Sequence, residues 1–242
     1  MEEESEKIAV LLNSLAHPDK KVIRRAADAL ISMAPGLPEL PDRLGRLLSN
    51  LPADKSWPIA YVLAHISSPS PSCLHVLRET LGSRDPDIRW AVSLLLVRLG
   101  KNNREIVSLL LDLLKSGTPT QRRMALYCLR DLDFRDEVSL RAIVESLRDP
   151  DPLVRVAAVT SLKTREEIGQ EGMEILLQLF LADSDSRVRC NAAVMLAQLG
   201  APNENIRRAL EEAGRSEDLQ LKKAATVALE LLQKKGPAPS AK

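Results

Sequence analysis

Two groups of residues in this chain have types and spacing that bear on chemistry. The first is Cys73 with His75, a thiol and an imidazole two positions apart. A nucleophile and its base must meet within hydrogen-bonding reach. Here the pair falls at the start of a helical segment, where side chains two apart diverge, so nucleophilic catalysis is disfavoured. Cys73, Cys128 and Cys190 are far apart and odd in number, which argues against a disulfide framework and against a zinc site. The second group is Trp90, Leu94 and Val97, followed by Arg123, Tyr127 and Arg130. Trp, Tyr and Arg dominate the binding energy of protein interfaces, where truncating one often costs about 2 kcal/mol or more. These six residues are the candidate partner-binding wall.

The elements that position them follow one template, residues 148–162, which reads Arg-Asp-Pro-Asp-Pro-Leu-Val-Arg-Val-Ala-Ala-Val-Thr-Ser-Leu. Asp151 caps a helix, Pro152 suits its first position, and Val154, Ala158, Ser161 and Leu162 recur at helical spacing. With Arg155 as marker, the equivalents are Ile23, Trp57, Arg89, Arg122, Arg189 and Lys222, a step of about 33 residues that signals a solenoid. Three after the marker the residue is always small: Ala26, Ala60, Val92, Ala125, Ala158, Ala192 and Ala225. Four before it, Asp19, Asp85, Asp151, Asp185 and Asp218 recur as caps, with Thr118 in the fourth copy and no cap in the second.

The expected fold is all-α, a right-handed α-solenoid (an α-α superhelix) of about seven helical hairpins spanning residues 1–235 as one domain. The hairpins cover about 6–33, 40–66, 73–99, 104–132, 137–165, 172–199 and 204–234, and residues 236–242 form a disordered tail. In each hairpin the second helix carries the marker and is expected to line a concave wall. Positions one, five and eight after the marker share a face, and the six candidates occupy those positions in the third and fourth copies. Pro58 implies that the second copy's marker helix starts late, near Ser56. Gly100 and Gly200 read as left-handed helix stops, and the prolines of 34–41 read as a loop.

A formal net charge of +1 with 28% charged residues gives the molecule no large field of either sign, so nucleic acid is not the expected partner. The acidic start Glu2-Glu3-Glu4 lacks the order of a signal peptide, and no apolar run approaches a membrane span. The expectation is a cytoplasmic, monomeric protein with protein partners and no cofactor or metal.

The run Asp-Pro-Asp-x-x-Val-Arg-x-x-Ala with Leu four further on, best seen at 149–162 and 183–196, resembles the HEAT-like repeat, particularly the variety named after phycobilisome lyases. The resemblance implies an armadillo-like helical scaffold. It also implies a structural ladder between neighbouring copies, drawn from Arg89, Arg122, Arg155 and Arg189 with Asp85, Asp151 and Asp185. Three catalytic roles are known for related arrays. A phycobilisome-lyase-like chromophore lyase rests on the repeat resemblance alone. Deoxyhypusine hydroxylases bind iron through His-Glu pairs, whereas His17, His65 and His75 precede Pro18, Ile66 and Val76. DNA-alkylation glycosylases use an aromatic and basic wall with a carboxylate; Trp90, Tyr127, Arg123, Arg130 and Asp28 match this poorly at near-neutral charge. A non-catalytic protein-interaction scaffold is the preferred reading.

Overall fold

The computed structural model describes residues 2–133, 136–165, 167–199 and 204–235. The chain is an all-α solenoid, with no strand among the described residues. It divides into two compact units, Met1–Ile106 and Val107–Lys242. Unit 1 contains α1 (Glu2–Ser14), α2 (Lys20–Met33), α3 (Leu40–Ser49), α4 (Ala53–Ile66), α5 (Pro71–Thr80) and α6 (Pro86–Gly100). The division falls inside α7 (Arg104–Ser116), and unit 2 continues with α8 (Pro119–Leu132), α9 (Glu137–Ser146), α10 (Pro152–Ser161), α11 (Gly169–Ala182), α12 (Ser186–Leu199), α13 (Glu204–Ala213) and α14 (Leu219–Lys235).

The caps act where the template places them. Asp19, Asp85 and Asp151 sit in extended backbone and accept from the first amides of α2, α6 and α10. Asp185 accepts from the Arg187 amide, and Asp218 from those of Gln220 and Leu221. Thr118 and Gln121 make a reciprocal capping box at α8. Each carboxylate or hydroxyl satisfies donors that a helix start would otherwise leave unpaired. The small position three after the marker is buried in all seven copies, so the marker helices approach closely there.

In unit 1, α2 packs on α4, α4 packs on both α5 and α6, and α3 packs on α4. Three local readings differ from the sequence expectation. First, α4 starts at Ala53 rather than near Ser56, because Lys55 and Ser56 donate to the Pro52 carbonyl at 3.0 and 3.1 Å. Pro58 therefore lies inside the helix and removes one backbone bond. Burial of Ser56, Pro58, Ile59 and Ala60 offsets that loss. Second, Gly100 is the buried last residue of α6 with Lys101 following in right-handed helical backbone, so it is not a left-handed stop. Third, α1 begins at Glu2 rather than near residue 6. The 34–41 segment includes a single 3-10 turn, Ala34–Gly36. Gly200 and the tail 236–242 lie outside the described residues.

In unit 2, α8, α10, α12 and α14 lie side by side, and α9, α11 and α13 each pack on the marker helix that follows. Its core is centred on Phe180 with Leu126, Val154, Leu176, Leu196 and Leu210, all fully buried. The turn into α8 needs glycine: a Cβ on Gly117 would sit 2.6 Å from the Leu113 carbonyl oxygen. At the far end of α8, Asp133 takes left-handed backbone, φ 50°, a conformation that Asp tolerates better than most residues.

Candidate functional site

The ladder runs from arginines near the starts of α8, α10 and α12 to groups in the loops that precede the marker helices of unit 2. Arg122 donates from Nε and Nη2 to the two carboxylate oxygens of Asp149, at 2.7 and 2.9 Å, and from Nη1 to the Gly117 carbonyl at 2.7 Å. Arg155 repeats this with Asp183, at 2.7 and 2.8 Å, and with the Asp149 carbonyl at 2.8 Å. Arg189 donates to Asp218 at 2.7 Å and to the Asp183 carbonyl at 2.8 Å. In the Arg122 and Arg155 pairs the planar guanidinium and carboxylate match at two points, whereas Arg189 meets Asp218 at one point and its Nε is buried with no acceptor among the described residues. The hydrogen bonds that Arg122 donates to Asp149 raise the Arg122 pKa, and those that Arg155 donates to Asp183 raise the Arg155 pKa.

The acceptors differ from those singled out in sequence. Asp151 caps α10, Asp85 caps α6, and the Asp185 amide donates to Asp183 while its carboxylate accepts from Arg187. Asp149 and Asp183, two positions earlier, carry the first two rungs, and the third ends on Asp218, which also caps α14. Both belong to an Asp-x-Asp doublet, Asp149-Pro150-Asp151 and Asp183-Ser184-Asp185, and that doublet is the signal that would have found them. One carboxylate meets the helix it precedes, and the other the arginine of the copy before.

Unit 1 is fastened otherwise. Arg89 donates to the Ser83 carbonyl at 2.6 Å, and its Nε is buried with no acceptor among the described residues. Lys20, at the start of α2, pairs with Asp85 at 2.8 Å and Asp87 at 2.6 Å, at the start of α6. These hydrogen bonds raise the Lys20 pKa and lower that of Asp85.

The six wall candidates divide between the units. On α6, Trp90 is 43% and Leu94 64% exposed, one turn apart, and Val97 is half-buried. On α8, Arg123, Tyr127 and Arg130 are half-buried. The Arg130 guanidinium stands 5.1 Å from the Tyr127 ring centroid and donates to Asp131 at 2.7 Å, so a cation–π contact and an ion pair hold it in place. The same face is not open throughout: Pro58, Val62 and Ala197, at equivalent positions, are buried.

The nucleophile candidate is inert. Cys73 is buried, its thiol donates to the Ala60 carbonyl at 3.3 Å, and burial pushes its pKa up to about 12. His65 Nδ1 is 2.8 Å from the Tyr61 carbonyl oxygen and its ring packs on Tyr61 at 4.4 Å. Burial lowers the His65 pKa and raises that of Tyr61, the behaviour of a packed pair. His75 borders an open groove of ≈ 500 Å³ with Leu48, Leu51 and Val76, on the first-helix side of unit 1. Among the described residues, no three His, Cys, Asp or Glu side chains group as metal ligands, and no helix is long and apolar enough to cross a membrane.

A family profile for HEAT repeats matches residues 74–163, 107–190 and 140–230. The chain belongs to the HEAT-repeat family. The Escherichia coli protein YibA is similar in fold at 15% identity and TM-score 0.59, over 95% of this chain and 82% of that one. Importin beta is similar at 17% identity and TM-score 0.56, over 95% of this chain and 34% of its own length. None of the curated proteins matches the chain in sequence. HEAT and armadillo-like folds commonly serve as protein-interaction scaffolds, and in this chain the arginine ladder links neighbouring hairpins of unit 2.

Proposed function

We propose that this HEAT protein is a non-catalytic scaffold that binds a protein partner through its marker helices, with Trp90, Leu94, Val97, Arg123, Tyr127 and Arg130 as contacting residues. The observation that carries the reading is the exposure of Trp90 and Leu94 on one face of α6. Large apolar side chains left together in water favour association when a partner covers them. We further propose that residues 1–235 act as one array and that the protein is a cytoplasmic monomer. Cys73 and Cys190 are free thiols, which is consistent with a reducing compartment.

The test is affinity capture from the native cytosol with the wild-type protein and with Trp90→Ala/Tyr127→Ala. Partners that the wild type retains should fall at least tenfold in the variant, while far-UV circular dichroism stays unchanged. Equal capture by both proteins overturns the reading. The template at 149–162 also supports the phycobilisome-lyase variety of the repeat as a second reading. Mixing the protein with a bilin gives a spectral shift if that reading holds and none if it does not.

A further inference from the structure

We infer that the marker-helix face of unit 2 selects an extended, acidic polypeptide segment; this rests on the scaffold reading and names the chemistry of the partner. Positions one, five and eight after the marker place Arg123, Tyr127 and Arg130 on α8, Val156, Thr160 and Lys163 on and just after α10, Cys190 and Val194 on α12, and Lys223, Val227 and Glu230 on α14. Four of these side chains are cationic and one is a carboxylate; Arg130 is already paired with Asp131, so the unpaired excess rests on Arg123, Lys163 and Lys223 against Glu230. The ladder arginines add nothing to the excess, because Asp149, Asp183 and Asp218 neutralise them.

Arg130 is held by Asp131 and the Tyr127 ring. No hydrogen bond or ion pair within the described residues engages the side chains of Arg123, Lys163 and Lys223, and the two lysines are exposed. A face that leaves cations unpaired and separates them by neutral, half-buried Val156, Thr160 and Val194 offers carboxylates a site and leaves room for intervening side chains. It is poorly suited to nucleic acid. Stacking needs open aromatic platforms, and the single ring here, Tyr127, is already covered by Arg130.

The spacing sets the form of the ligand. Packed helices lie about 8–10 Å apart, which an extended chain crosses in about three residues. Arg130 and Lys163 hold the same row on neighbouring marker helices, so two carboxylates three residues apart can meet both; the row continues with Ala197 and Glu230, and Lys223 lies in the row of Arg123. A segment running across the helices therefore matches the face better than a helix lying along one of them.

The test is fluorescence anisotropy of the full-length protein with four labelled probes: (Glu-Gly-Ser)4, (Gln-Gly-Ser)4, (Lys-Gly-Ser)4 and a twelve-nucleotide oligothymidylate. The acidic peptide should bind at least tenfold tighter than the other three, and its affinity should fall about tenfold between 50 and 300 mM NaCl. Arg123→Gln/Lys163→Gln should lose the preference, and Arg123→Glu/Lys163→Glu should transfer it to the lysine peptide, both with unchanged circular dichroism. Absent or equal binding of the acidic peptide, tighter binding of the oligothymidylate, or indifference to both double substitutions overturns the inference. Loss of partner capture in Trp90→Ala/Tyr127→Ala, combined with no acidic preference, removes the charge selectivity and leaves the scaffold reading intact.

Discussion

Unit 2 joins neighbouring hairpins through Arg122, Arg155 and Arg189, each closed on a carboxylate of the following copy. Unit 1 has Ile23 and Trp57 at the first two marker positions, and its long-range ion pair runs from Lys20 in the first hairpin to Asp85 and Asp87 in the third. Both units nevertheless bury the same small residue where the marker helices cross. Apolar stacking is thus common to the whole chain, while the polar fastening differs. The contrast separates two jobs: burial makes the helices stack, and the ladder fixes which turn of one copy faces which turn of the next.

The largest expected effect is on the ladder itself. Asp183→Ala leaves the half-buried Arg155 guanidinium without its carboxylate, and breaking a buried pair from one side costs about 3 kcal/mol. Urea denaturation should show that loss. Lys20→Met in unit 1, where the ammonium is exposed, should move the midpoint far less; equal losses would erase the distinction between the units. A smaller effect, the same in both, is expected at the shared crossing. Ala60→Leu and Ala158→Leu each force extra volume into a fully buried position, costing about 1–3 kcal/mol. Unequal costs there would mean that the apolar stacking also differs.

The smallest effect is on acid stability. Arg187, hydrogen-bonded to Asp185, holds that carboxyl down at about 2, below the usual value of about 3.9. A depressed pKa contributes stability that is present above about pH 4 and lost as pH falls toward 2. Urea midpoints at pH 5 and pH 2.5 should differ less in Arg187→Ala than in the wild type, and an unchanged difference removes this contribution.

Most of the hairpin layout was legible because caps and prolines punctuate it locally. Thr118-Pro119 and Ser186 bound α8 and α12 as the template predicts. What escaped was set by contacts distant in sequence. The start of α4 depends on packing that tolerates Pro58. Gly100 is helical in buried surroundings. The Asp149 and Asp183 assignments depend on an arginine almost thirty residues earlier, and the doublet marks the pair without showing which arginine it meets. For the wall, the pattern located Trp90 and Leu94, but only coordinates show that Val62 and Ala197, at matching positions, are covered.

The reach of Lys20 also bears on how such a chain can lengthen by duplication. In unit 2 each ladder arginine pairs with a carboxylate of its immediate successor, so a tandem copy of the fifth hairpin spliced into that unit still supplies each guanidinium with a carboxylate. Lys20 spans from α2 past the second hairpin to the first turn of α6. Inserting or deleting a hairpin between α2 and α6 separates the ammonium from both aspartates, so this ion pair does not survive a change in repeat number there.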